Sequence, residues 1–321
     1  MGMYSKIQWC EATWNPVVGC TKISDGCRNC YAETMAQRLK AMGQVKYRDV
    51  VDKDGWTGKI GIGADDCFRE PLQRKKPTRY FVDSMGDLFH ERVAFSLVLK
   101  IFGIALATPW HEYIILTKRA ERLPLFFEWW KERQREKRYL FGRLAHALEA
   151  AEGLTSPEIL KRADQYYQEH YDQSGRGKLD YAAPWPLPNI TGMVTVENQE
   201  QMHRIAHLLE SPFHHYGVSV EPMLGPVAMK FKHRVPGGFV GKNEITQEYE
   251  RQFVRKIDWV IIGGESGRKR RTIDFRHAQN LIDQCRAAGV AVYLKQWDWG
   301  AGNGLEKAPF EKQKNYREYP G

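Results

Sequence analysis

Three thiols, those of Cys20, Cys27 and Cys30, fall within eleven consecutive residues near the start of this 321-residue chain. Around them, Trp14-Asn15-Pro16-Val17-Val18-Gly19-Cys20 and Gly26-Cys27-Arg28-Asn29-Cys30-Tyr31 carry an Asn-Pro step and well-placed glycines, the marks of a loop. A loop can wrap thiolates around a compact inorganic core. Three thiolates can hold three irons of a cubane [4Fe-4S] cluster and leave the fourth iron open to an outside ligand. Zinc is the competing metal, since Cys-x-x-Cys is also half of a structural zinc site. Such a site usually takes four protein ligands, and no second Cys-x-x-Cys or matching His pair occurs, so Cys10 or Cys67 would have to supply the fourth from a distance. A disulfide is the third option. With three of six cysteines packed so closely in a chain of this size, metal or cluster binding is the better reading.

The elements that must position this loop follow from hydrophobic periodicity. Short apolar runs at 80–82, 113–116, 190–196, 216–220, 259–262 and 291–294 read as buried strands, and they alternate with helical patterns. One such pattern, Ala278, Leu281, Ile282 and Cys285, makes Cys285 a small core residue; residues 31–42 read as the helix after the cysteine loop. Alternation of this kind predicts an α/β fold, a partial parallel (β/α) barrel of about six to seven strands with a helical insertion. Polar residues stand just past nearly every strand: Asp83-Ser84, Thr117-Lys118-Arg119, Glu197-Asn198, Glu221, Gly263-Gly264-Glu265-Ser266 and Lys295-Gln296. Loops at the carboxyl ends of parallel strands build barrel active sites, so these groups are expected to converge on one rim, although Ser84 and Asn198 could equally be helix caps.

The expected organisation is a first half of the barrel with the cluster loop at 1–130, then a basic helical insertion at 131–188 ending in Pro184-Trp185-Pro186-Leu187-Pro188. A second half at 189–299 carries its own insertion at about 228–256, and a tail spans 300–321. Residues 1–8 lack the apolar region of a secretory signal, Gly2 lacks a myristoylation pattern, and the apolar run 93–107 is too short to span a bilayer. A cytoplasmic protein with no membrane partner is expected. The formal charge of +9 suits a polyanionic partner.

Taken in order, the Trp-Asn-Pro-x-x-Gly-Cys opening, the three cysteines, Thr195-Val196-Glu197-Asn198-Gln199, Val220-Glu221-Pro222-Met223-Leu224-Gly225-Pro226, Ile262-Gly263-Gly264-Glu265-Ser266-Gly267 and Leu294-Lys295-Gln296-Trp297 resemble the phage-associated three-cysteine-motif proteins. These are related to the radical S-adenosylmethionine superfamily, with spore photoproduct lyase as the DNA-directed analogue. The resemblance implies that the open iron takes the amine and carboxylate of S-adenosylmethionine and that a reduced cluster cleaves the sulfonium to a 5'-deoxyadenosyl radical. It also implies an external electron donor such as flavodoxin or ferredoxin. By position, Ser84, Gly86 and Asp87 resemble the loop at the methionine amine, and Thr195, Glu197, Glu221 and Glu265 resemble rim groups. Gly263 and Gly264 resemble the close-approach loop beside adenosine, and Lys118, Glu221 and Lys295 stand as candidate catalytic groups. One departure is plain: the superfamily usually spaces its first two cysteines by three residues, whereas six separate Cys20 from Cys27.

Basic clusters at Arg74-Lys75-Lys76, 131–143 and Arg268-Lys269-Arg270-Arg271 suit phosphates, the last sitting on the expected rim. Tryptophans, among them Trp129, Trp130, Trp185, Trp297 and Trp299, offer stacking surfaces for extruded bases. A nucleic-acid substrate, DNA favoured over RNA and subject to modification or repair, is the expectation. Two other classes compete: a zinc- or cluster-stapled nucleic-acid-binding protein without catalysis, in which the carboxylates are structural, and a conventional hydrolase or transferase using them as acid and base.

Overall fold

A computed structural model describes residues 7–136, 148–171, 185–229, 257–265, 270–295 and 318–319. Its strands are β1 (Ala12–Trp14), β2 (Val17–Val18), β3 (Val51–Asp52), β4 (Gly55–Trp56), β5 (Gly61–Ile62), β6 (Arg79–Val82), β7 (Glu112–Thr117), β8 (Ile190–Thr195), β9 (His215–Val220), β10 (Ile257–Ile262) and β11 (Ala291–Leu294). Its α-helices are α1 (Tyr31–Ala41), α2 (Asp65–Gln73), α3 (Phe95–Ala107), α4 (Arg122–Glu136), α5 (Pro157–His170), α6 (His203–Leu209) and α7 (Phe275–Ala287). Seven strands pair in the order β1-β6-β7-β8-β9-β10-β11, the parallel α/β sheet that the alternating pattern predicts. All six strands read from the sequence are present. The seventh, β1, escaped notice because three residues are too few to show a period.

Contacts divide the chain into two compact units, one of residues 1–22, 32–192 and 211–214 and the other of 23–31, 193–210 and 215–321. In the first unit β1, β6 and β7 run parallel, with Trp14 opposite Val82 and Tyr80 opposite Tyr113. The rings of Tyr80 and Tyr113 stack at 5.6 Å, and Trp14 meets Tyr113 edge-on at 5.7 Å. Such contacts add to the large apolar area that each ring removes from water. Most of the apolar run 93–107 becomes α3, buried along most of its length, and among the described residues no helix is long and apolar enough to cross a membrane. Phe102, Phe126, Phe127 and Phe213 form a second aromatic cluster that includes Trp130 and Trp185. Trp130 is 1% exposed, so it fills the core and offers no face to a base. The basic stretch 131–143 lies largely outside the described residues, as do Trp297 and Trp299.

In the second unit β9, β10 and β11 are parallel and in register through Val218, Val260 and Val292, all fully buried. Helix α7 covers this part with Ala278, Leu281, Ile282 and Cys285, as its three-and-four spacing predicts. Burial pushes the Cys285 thiol up to about 12, which suits an inert core residue. Asp274 caps α7 by accepting from Arg276 N at 2.9 Å.

Candidate functional site

In the first unit the segment Trp14 to Gly19 is held by its own polar atoms. Asn15 Oδ1 accepts from Ser84 Oγ at 3.0 Å and from Met85 N at 2.9 Å, while Trp14 Nε1 donates to Cys67 O at 2.8 Å. Gly19 has φ +95° and bridges to Gly86; a Cβ on it would stand 2.4 Å from Lys59 O, so only glycine fits. Cys20 follows directly. Thus the loop ending β1 is laid against the Ser84-Met85-Gly86-Asp87 loop ending β6.

Asp87 is buried and saturated with donors. Its carboxylate accepts from Phe89 N at 3.0 Å, Thr117 Oγ1 at 2.7 Å, Lys118 N at 3.2 Å and Arg119 Nη1 at 3.1 Å. It therefore fixes the end of β7 and aims Arg119. The sequence flagged Arg119 only as one of three polar residues past a strand; the structure makes it central. Its guanidinium, 1% exposed, donates from Nε to Glu91 Oε1 at 2.8 Å, from Nη2 to Thr21 O at 3.1 Å and Thr21 Oγ1 at 2.5 Å, and from Nη1 to Cys20 Sγ at 3.5 Å. Burial works against the charge, yet Asp87, Cys20 and Glu91 outweigh it and hold the pKa above the ordinary value. Beside it, burial and then Arg119 lower the pKa of His90, whose Nε2 lies 3.1 Å from Thr21 Oγ1. No short motif could have announced this array, because its members are joined only by the fold.

In the second unit the turn carrying the other two cysteines is tied to strand ends. Residues Asp25–Cys27 form a 3-10 turn in which Cys27 N donates to Ser24 O at 2.9 Å, and Cys30 immediately precedes α1. Ser24 Oγ donates to Glu197 Oε1 at 2.5 Å, past the end of β8. Asn29 Nδ2 donates to Glu265 Oε2 at 2.8 Å, past the end of β10. Arg271 Nη1 reaches Asp25 Oδ2 at 2.6 Å while its Nε donates to Glu265 Oε1 at 3.0 Å. Glu197 is 1% exposed, and its second oxygen accepts from Arg204 Nη1 at 2.7 Å, which also donates to Thr195 O at 2.8 Å. Gly26 packs so closely that a Cβ would stand 2.5 Å from the Glu197 carboxylate.

The remaining strand ends of this unit gather beside them. Leu224 N donates to Glu197 O at 2.7 Å, Met223 N to Gly263 O at 2.9 Å and Lys295 N to Ile262 O at 2.9 Å. Lys295 Nζ stands 3.1 Å from Glu221 Oε1, at ion-pair distance but outside hydrogen-bond geometry, and a Cβ on Gly263 would meet that same oxygen at 2.5 Å. Gly263 thus makes room for the pair. A Cβ on Gly264 would stand 3.0 Å from Ile273 Cδ1. Asn198 caps the short 3-10 helix after β8, accepting from Glu200 N at 3.1 Å, the plainer of its two sequence readings.

Part of the basic run falls within the described residues. The Arg271 guanidinium pairs with Glu265 and Asp25 and so braces the cysteine turn. Burial works to raise the Glu265 pKa, yet hydrogen bonds from Arg271 and Asn29 hold it below the ordinary value. Arg270 is exposed, whereas Arg268 and Lys269 lie outside the described residues, as do Ser266 and Gly267.

None of the six cysteines is in a disulfide, and Cys20, Cys27 and Cys30 are partly exposed. Cys10 and Cys67, the distant fourth ligands that zinc would need, donate to Ile7 O at 3.7 Å and Asn15 O at 3.5 Å, and burial raises the Cys67 pKa. Among the described residues no three His, Cys, Asp or Glu side chains converge on one ion. A cubane asks for a different spacing, since each thiolate binds its own iron. Partly exposed thiols such as Cys20, Cys27 and Cys30, none of them in a disulfide, suit such a donor set.

Three solved chains of spore photoproduct lyase are similar to this one at 12% identity. One point mutant gives a TM-score of 0.41 over 93% of this chain and 79% of that one. A second mutant gives 0.40 over 90% and 75%, and the complex with dinucleoside spore photoproduct gives 0.39 over 90% and 75%. No curated protein matches the sequence. The family described as protein of unknown function (DUF5131) matches residues 4–321, and the chain belongs to it.

Proposed function

We propose that this protein is a radical S-adenosylmethionine enzyme that holds a [4Fe-4S] cluster through Cys20, Cys27 and Cys30 and acts on a nucleic acid, DNA before RNA, to modify or repair it. The observation that carries this reading is the tethering of the Cys27 and Cys30 turn, through Ser24 and Asn29, to Glu197 and Glu265 at the carboxyl ends of β8 and β10. Ligand sites of open parallel sheets form at those ends. When bound, the cluster and S-adenosylmethionine would supply a 5'-deoxyadenosyl radical that abstracts hydrogen from substrate, with flavodoxin or ferredoxin as electron source.

The chain's own groups then divide their work. Glu197, Glu265 and Asp87 position the cysteine-bearing backbone, their oxygens already being engaged by neighbours. Glu221 and Lys295, facing each other past β9 and β11, are the pair left to meet the methionine, the ribose or the substrate. Gly86, Gly263 and Gly264 let backbone lie against a ligand, and Thr195 and Ser84 support the loops beside them. Arg268, Lys269 and Arg270 are the remaining contacts for phosphate, and a phage origin for the family and a cytoplasmic setting accord with this chemistry.

The engagement of Glu197 and Glu265 is also what a cluster-stapled binding protein without catalysis requires, so that second reading stands beside the first. Anaerobic reconstitution with iron and sulfide separates them. The enzyme reading expects a brown protein whose reduced EPR spectrum changes with S-adenosylmethionine and which, with dithionite and DNA, releases 5'-deoxyadenosine. A brown protein that binds DNA but leaves S-adenosylmethionine intact supports the binding reading, and a colourless protein with stoichiometric zinc ends the cluster proposal.

A further inference from the structure

Resting on the cluster reading, we infer that Arg119 is the positioning residue that sets the cluster's reduction potential, by donating a charged N–H to the sulfur of Cys20. The guanidinium has no freedom to do otherwise. Its Nε is held by Glu91, its Nη2 by both oxygens of Thr21, and its Nη1 is divided between Asp87 Oδ2 at 3.1 Å and Cys20 Sγ at 3.5 Å. Asp87 is itself clamped by Thr117 Oγ1 and the amide of Lys118, so the fork is aimed by the end of β7. Thr21, the residue next to Cys20, is further held by His90 Nε2 at 3.1 Å.

Structural needs alone would be met by the Asp87 and Glu91 pairs; they do not call for a guanidinium edge against a thiol. As a thiol, Cys20 donates to Thr21 O at 3.4 Å; as a thiolate it becomes an acceptor, and Arg119 is the donor that the structure puts beside it. Hydrogen bonds to ligand sulfurs stabilise the reduced, more negative form of a cluster and so raise its potential. One-electron reduction of the oxidised cluster by an external donor forms no new bond; the added negative charge spreads over iron and sulfur, and the N–H bond to Cys20 strengthens.

The test is an EPR-monitored redox titration of the reconstituted full-length protein without S-adenosylmethionine, for wild type, Arg119→Lys and Arg119→Gln, with iron content and circular dichroism as checks of loading and fold. The expected result is a lower midpoint potential in both variants, the Gln variant moving further. Loaded, folded variants with the wild-type midpoint overturn the inference. Should loss of this buried cation unfold the variants, pulsed EPR of reduced wild-type protein labelled with 15N-arginine decides. A resolved guanidinium nitrogen coupling is expected, and its absence overturns the inference. Wild-type protein that takes up no cluster removes the cluster reading and this inference together, whereas an arginine-independent potential removes only this one.

Discussion

Asn29 donates from Nδ2 to Glu265 Oε2 at 2.8 Å across 236 positions of sequence. A residue between Cys27 and Cys30 is thereby fixed to the residue that follows the Gly263-Gly264 pair. Ser24 and Glu197 repeat the arrangement one strand away. Both carboxylates have an arginine on their far side, Arg204 or Arg271, so each joins a cation to the cysteine turn.

Removing Glu197 therefore has a calculable cost. Glu197→Ala leaves the Arg204 guanidinium, 3% exposed as a residue, with Thr195 O as its remaining acceptor among the described residues. Breaking one side of a buried pair costs about 3–5 kcal/mol. Urea unfolding of the apo-protein should show a loss of that order, and adding Arg204→Leu should restore part of it. A loss under about 1 kcal/mol would mean that the pair is solvated.

Gly26→Ala places a methyl group 2.5 Å from the same carboxylate. Overpacking of this kind typically costs about 1–3 kcal/mol, and here it also pushes the turn off the strand end, so a chelator should strip iron from the variant several-fold faster than from wild type. Gly225→Ala, whose new Cβ would meet Asn198 Cβ at an ordinary 3.7 Å, is the control and should behave as wild type.

Single changes of Cys20, Cys27 or Cys30 to Ser should lower iron content from about four per chain to below about one. Cys67→Ser and Cys285→Ser should load normally, because the one thiol donates to Asn15 O and the other is enclosed on the buried face of α7. Equal loss in all five variants would point to general unfolding.

Acid stability carries a signature from His111. The ring is fully buried; its Nδ1 accepts from Thr78 N at 3.1 Å and its Nε2 faces Pro71 O at 3.0 Å. Burial holds its pKa down to about 4 against 6.5 for a free ring. The unfolded chain therefore binds the proton first. The contribution is complete above about pH 6.5 and drains as pH falls from about 6.5 to about 4, a loss of up to about 3 kcal/mol. NMR should find the His111 ring neutral at pH 5.5; a ring titrating near 6.5 would contradict the burial argument.

What the sequence determined by itself is what local period and spacing can encode. Apolar runs of buried strands, the three-and-four stripe of α7 and the loop chemistry around Cys20, Cys27 and Cys30 are each contained in a few consecutive residues, so they were legible without neighbours. The roles of Arg119, Asp87, Glu197 and Arg271 were not. A charged side chain past a strand looks the same in sequence whether it meets phosphate, solvent or another side chain, and which of these it meets depends on partners up to 246 residues away, as for Arg271 and Asp25. Only the tertiary structure decided that Arg271 serves the cysteine turn, that Trp130 fills the core and that Arg119 stands at the Cys20 sulfur, because burial obliges a charge to find its partner in space and not along the chain.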